Sequence, residues 1–320
     1  MIKSQKKEFI FTQKPTDNCH ASTVLPLEDG RIAAAWFAGT KEGNDDVDIL
    51  TCVRTDEGWG QPVRVSAAPD IPHWNPVLFR KSNGEIILFF KVGKKIPAWK
   101  TYYCTSSDAV AWSIPAELVE GDIGGGRGPV KNKPIRLSDG RVIAPASDER
   151  NNLWVAFTDI SCDDCASWRR MRTVPTRSLL GFYVPMIQPT LWESDDGSVH
   201  MLTRTSRGKI YRSDSFDKGE SWCRAYPTPL PNNNSGIDLD RTADGRIFLV
   251  CNPVSKNWGD RTPLDLMVSE DDGKTFKKLL RLEDNPGEYS YPAIVAQGSK
   301  LHITYTFNRE YIAYWQIEIA

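Results

Sequence analysis

The chain has 320 residues, and its 40 Lys+Arg against 41 Asp+Glu leave a formal net charge of -1. That balance excludes a surface field built to hold nucleic acid or another polyanion, and no apolar run approaches the length of a membrane span. Seven scattered cysteines, an odd number, read as reduced thiols rather than a disulfide framework.

Taken from the start, residues 2–7 are polar and basic with no apolar stretch behind them, so no secretory leader is visible and a cytoplasmic location is expected. A short strand is predicted over 8–12, ahead of the first repeating unit. Turn dipeptides then recur at Asp29-Gly30, Asn83-Gly84, Asp139-Gly140, Asp196-Gly197, Asp244-Gly245 and Gln297-Gly298, with glycines 48 to 57 residues apart. A strand-like run follows each of them, at 31–37, 85–91, 141–146, 198–204, 246–252 and 300–307. A period near fifty residues with four short strands per unit predicts an all-β, six-bladed β-propeller spanning residues 1–320 as one domain. Only three strands follow Glu288, so the strand at 8–12 is expected to complete the last blade and leave no open seam.

A second signal runs in register with the first. Residues 215–222 (SFDKGESW) read S-x-D-x-G-x-[ST]-aromatic, and 269–276 (SEDDGKTF) match at every fixed position. Residues 161–168 (SCDDCASW) match except for Cys165 at the glycine, and 106–112 (SSDAVAW) are a shortened copy. Such a sequence makes a hairpin turn: the serine and aspartate side chains hold backbone amides, and glycine allows a positive φ. Cys162 and Cys165 form a C-x-x-C inside one copy, without the βαβ context of a redox motif or the second pair of a zinc site. The glycines of 124–128 lack the Lys-Ser/Thr ending of a phosphate cradle and read as a loop. No cofactor or metal motif is present.

The innermost strands of a propeller open onto one face, so residues just before or early in each should converge. Those positions carry His20, Asn75, Lys131, Lys133, Gln188, Asn234, Asp238, Tyr289 and Tyr291. The ends of second strands add Lys91, Glu149, Arg204, Asn252 and Arg309, and Glu42 and Asp46 lie in the first blade's loop. A single polar residue at a strand end usually bonds backbone. This many ionisable groups converging on one pocket are costly to desolvate without a ligand, which points to a binding centre.

With these stretches in hand, the chain resembles the sialidase (neuraminidase) superfamily of six-bladed propellers, whose S-x-D-x-G-x-T-W turns are known as Asp boxes. It is most similar to the bacterial-neuraminidase-repeat-like branch, on His20-Ala21-Ser22-Thr23, Trp74-Asn75-Pro76-Val77, Lys131-Asn132-Lys133-Pro134, Asn234-Ser235-Gly236-Ile237-Asp238 and Tyr289-Ser290-Tyr291-Pro292. The resemblance implies an arginine triad for a substrate carboxylate, an aspartate acid/base in a first-blade loop, and a tyrosine nucleophile activated by a glutamate. On that pattern Tyr289 is the nucleophile, Glu149 its base, and Asp46 the acid/base with Glu42 beside it. Asn75, Lys91, Lys133, Gln188, Arg204, Asn234, Asp238, Asn252, Tyr291 and Arg309 would bind substrate. His20 stands where a sialidase carries its first arginine; Arg204 can serve as a second, and Arg309 or Arg261 as a third. The function implied is an exo-type glycoside hydrolase that removes a terminal acidic sugar. Two alternatives keep the carbohydrate partner: a polysaccharide lyase using Tyr289 or His20 as base, and a non-catalytic carbohydrate-binding propeller.

Overall fold

The computed structural model describes residues 2–122, 126–177 and 181–320. Met1 and the glycines Gly124 and Gly125 of the expected loop lie outside the described residues.

Six antiparallel sheets form the blades of a β-propeller. Their innermost strands are Asn18–Pro26, His73–Arg80, Ile135–Arg136, Met186–Glu193, Asp238–Arg241 and Tyr289–Gln297. Second strands follow at Ile32–Gly39, Ile86–Val92, Val142–Asp148, Val199–Thr205, Ile247–Cys251 and Lys300–Phe307, each after its turn dipeptide. Apolar side chains on these inner strands fill the gaps between neighbouring blades, and the core is a ring of such clusters.

The ring closes through the N-terminus. Strand Ile2–Phe9 pairs antiparallel with Tyr311–Ile319 as the outermost strand of blade 6, longer and earlier than the expected 8–12. Hydropathy misses this strand because an outermost strand needs backbone pairing more than apolar side chains; five of its eight residues are exposed. Its side chains also reach both neighbours. Lys7 pairs with Glu283 of blade 5, and Glu8 accepts Arg54 Nε of blade 1 at 2.6 Å.

The four Asp boxes form one turn chemistry. Gly219 N donates to Ser215 Oγ and Ser221 N to Asp217 Oδ1 at 2.8 and 2.9 Å. The same pair of bonds recurs at Ser269/Asp271, Ser161/Asp163 and Ser106/Asp108. Cys165 and Ala109 take the glycine position at φ 76° and 62°, held by these bonds against their steric preference. Cys165 is therefore a turn residue, and all seven cysteines are free thiols.

One irregularity sets the site. In every blade one residue in the inner strand, or four residues ahead of it in blades 3 and 5, has positive φ: Ala21 (54°), Asn75 (45°), Lys131 (66°), Gln188 (52°), Asn234 (61°) and Tyr291 (53°). The ladders of blades 1, 2, 4 and 6 shift register at that point. A bulge breaks the two-residue alternation of a strand and re-aims a side chain. Here it does so in four of the six blades.

Candidate active site

The bulges of blades 2, 4 and 6 point Asn75, Gln188 and Tyr291 into a cavity of about 270 Å3 on the axis. Loops and second-strand ends complete it with Glu42, Glu149, Arg204, Arg261 and Arg309. Trp74 and Trp99 form one wall, with ring centroids 5.0 Å apart and both indole N–H groups donating to Gly93 O. Trp154 and Trp258 form another, and Trp258 stays 62% exposed at the mouth. Aromatic walls with a few convergent polar groups on the floor suit the alternating apolar and hydroxylated surfaces of a sugar ring.

Arg204 organises the floor. Its Nε donates to Asn234 Oδ1 at 2.8 Å, and its Nη1 donates to Gln188 Oε1 at 3.1 Å and Tyr291 Oη at 2.7 Å. All three partners are neutral, and the side chain is 3% exposed. Its guanidinium carbon lies 5.7 Å from the Trp154 ring and 5.6 Å from the Trp258 ring. Tyr291 also lies within 3.4 Å of Gln188 Nε2, and beneath it the His20 ring packs at 4.2 Å.

The carboxylates fall into distinct environments. Burial pushes the Glu149 carboxyl above the usual range, Arg204 opposes this, and Asp148 adds to it. Glu288, just outside the cavity, accepts Arg261 Nη1 at 2.7 Å and Arg309 Nε at 2.9 Å on the same oxygen. Burial would raise its pKa, but Arg261 and Arg309 hold it below the ordinary value. Glu42 leans from blade 1 over the mouth and pairs with Arg309.

Several expectations are corrected. Tyr289 is 2% exposed and packs on Phe307, 5.1 Å between centroids, in the core of blades 5 and 6; it does not line the cavity. Burial raises its pKa further, with Glu283 adding to the effect. The phenol in the cavity is Tyr291. Asp46 does not line it either, because its carboxylate accepts Thr40 N and Thr40 Oγ1 at 2.9 and 3.0 Å and shapes the loop. Lys91 is buried against Thr101 Oγ1 and Arg127 O, and burial pushes it down to about 7. Lys133 is spent on Asp238 and Leu239 O, and Asp238 also accepts Thr190 Oγ1 and Ile294 N. Asn252 donates to Pro263 O and Tyr289 O and joins loops rather than facing the cavity. Asn234 acts one step back, through Arg204. His20 is 1% exposed under Tyr291; burial, then Arg309, Arg261, Arg204 and Lys131, keep its pKa well below 6.5.

What the sequence reading left out are the tryptophan walls, Ile96 beside them, and Glu288. Eleven tryptophans were the available signal. Nothing in their spacing says which four share a cavity.

A family model described as BNR repeat-like domain matches residues 30–303. The chain belongs to the BNR repeat-like family. Solved structures share this propeller at low identity. A protein of unknown function from Dyadobacter fermentans superposes with a TM-score of 0.80 at 16% identity, each chain covered to 100%. The Hadza microbial sialidase Hz136 gives a TM-score of 0.80 at 14% identity, covering 94% of this chain and 66% of its own. The sialidase of Trypanosoma rangeli, in complex with the inhibitor DANA, gives 0.77 at 12% identity, covering 99% of this chain and 60% of its own. The present chain thus spans about two thirds or less of these two sialidases. Among curated proteins none matches the sequence. At such identities the likeness establishes the sialidase-like fold, and the chemistry rests on the cavity.

Proposed function

We propose that the BNR propeller is an exo-type glycoside hydrolase that removes a terminal acidic sugar from a glycan. The observation that carries this reading is Tyr291. It is a phenol at the floor of an aromatic-walled cavity, with its oxygen 2.7 Å from Arg204 Nη1. In this reading Tyr291 Oη attacks the anomeric carbon while its proton passes through an intervening water to Glu149, whose buried carboxyl is a stronger base than an exposed one. Glu42 at the mouth protonates the departing glycosidic oxygen. Water then cleaves the tyrosyl–sugar bond with Glu42 as base, the two-step course of a retaining glycosidase.

One observation favours a second reading. Among the described residues the Tyr291 oxygen touches Arg204 and Gln188 and no carboxylate. A lyase would use the same phenol to take the proton beside a uronate carboxylate neutralised by Arg204. Incubation with acidic and neutral oligosaccharides in ¹⁸O-labelled water separates the readings. Hydrolysis puts the label in the released sugar. An unlabelled product absorbing in the ultraviolet overturns it in favour of the lyase, and intact glycans across the panel leave a carbohydrate-binding propeller.

A further inference from the structure

Three guanidinium groups line the cavity, but they are not equivalent. Arg261 and Arg309 both donate to one oxygen of Glu288, at 2.7 and 2.9 Å, and Ser290 Oγ donates to the same atom at 3.2 Å. Arg309 has Glu42 as well. Arg204, the most buried of the three, forms no ion pair among the described residues, and its hydrogen bonds go to an asparagine, a glutamine and a phenol. A desolvated cation with only neutral partners is costly to hold. A carboxylate bridging two guanidiniums is already charge-matched and fills the place an external anion would take.

We infer that Glu288 is the specificity-determining residue of the cavity: it supplies the bridging carboxylate for Arg261 and Arg309 from within the chain. A ligand's anionic group is then read at Arg204 alone. The inference rests on the reading of this cavity as the sugar site and narrows its substrate class to sugars bearing a single carboxylate. A second carboxylate, or an oxyanion that needs several guanidiniums at once, meets the carboxylate of Glu288 instead of free N–H groups. The Arg204 and Arg261 guanidinium carbons lie 5.8 and 5.6 Å from the Tyr291 ring centre, so both stand beside the same phenol.

The test uses acetate and malonate as probes and the fluorescence of Trp154 and Trp258, which flank Arg204, as the signal. Glu288→Gln should raise malonate affinity by at least about tenfold, the change expected when charge-assisted bonds become available. Acetate affinity should move less than about threefold, because Arg204 is unchanged. Glu288→Ala, which leaves no side-chain oxygen between the guanidiniums, should show the same preference. Glu42→Gln removes an equal charge but leaves Glu288 in place, and should shift malonate less than about threefold. Arg204→Met should abolish the acetate response in either background. Equal malonate affinity in wild type and both Glu288 variants overturns the inference, as does a gain in Glu42→Gln that matches theirs. No sugar enters these titrations, so absence of product from a glycan panel counts against the hydrolase reading and not against Glu288.

Discussion

Two groups of buried charge share the propeller axis, and they differ in what surrounds them. Along the channel, Lys131 Nζ donates to Asn132 Oδ1 at 2.8 Å, Ile237 O at 2.9 Å and also to Pro292 O, tying blades 3, 5 and 6 together. Asn132 reaches Gln188 O and Pro189 O of blade 4, and Lys133 meets Asp238 of blade 5. Lys131 also has neutral partners, but oxygens of the chain enclose its ammonium away from the cavity, and Lys133 has the Asp238 carboxylate. In the cavity, among the described residues, Arg204 has neutral partners only and Glu149 has no ion pair, and the Tyr291 oxygen faces open space beside them. Burial by itself does not mark a functional charge. The distinction lies in whether the buried charge opens on a cavity, as Arg204 does and Lys131 does not, since an unmatched buried charge is retained at a cost that a ligand can offset.

Substitutions with opposite outcomes sharpen this contrast. The largest effect expected is on activity. Arg204→Met should lower product formation by about 10²–10³-fold, as for loss of one donor to developing charge. Its stability should stay within about 1 kcal/mol of wild type or exceed it, because an unmatched buried charge is removed. Paired turnover and denaturant-unfolding measurements check both halves. A large loss of stability in this variant would place Arg204 with the channel group.

Lys131→Met should do the reverse. Leaving the acceptors of Ile237, Pro292 and Asn132 without a donor should cost about 1–3 kcal/mol in unfolding free energy. Activity should change only as far as the floor shifts. That shift is small but real, because Gly236 lies between Lys131, Gln188 and Tyr291, with an added Cβ only 3.0 Å from Lys131 Cε.

The smallest effect concerns pH. Burial pushes Lys131 and Lys91 each down to about 7. Between about 7 and the ordinary lysine value of 10.5, the unfolded chain binds protons that the folded chain does not. Each lysine's contribution to stability therefore rises with pH across that window, and falls back as pH drops toward 7. Denaturant midpoints measured from pH 7 to pH 8, below the titration of the buried cysteines, should climb in wild type and climb less in Lys131→Met. Identical slopes would show that Lys131 keeps an ordinary pKa.

The fold was legible because its signals are local. An Asp box holds its own turn through Ser and Asp side chains, and a turn dipeptide needs only its two residues, so both survive in the sequence without tertiary context. The N-terminal strand was legible by topology but not in extent, since residues 2–7 pair through backbone and show no apolar alternation. The site was legible as a set of positions, not as directions. Tyr289 and Tyr291 are two apart and would share a face in a regular strand. The positive φ of Tyr291 breaks that rule and sends one ring to the core and the other to the cavity. Likewise Lys133 and Asp238 lie near the positive-φ residues Lys131 and Asn234 in sequence but are turned to each other. Asn75-Pro76, Gln188-Pro189 and Tyr291-Pro292 share a proline after the bulge, a local mark of the three positive-φ residues that line the cavity.

The central claim is that Tyr291, and not Tyr289, is the phenol that acts. The most direct measurement compares Tyr291→Phe and Tyr289→Phe on the glycan that wild type cleaves fastest, following product by mass. Tyr291→Phe should lose at least about 10³-fold in turnover, the scale seen when a nucleophile is removed from a unit that acts together. Tyr289→Phe should stay close to wild type, since it alters only a core hydroxyl. A Tyr291→Phe enzyme that turns over normally, or a Tyr289→Phe enzyme that is dead while fully folded, would contradict the account.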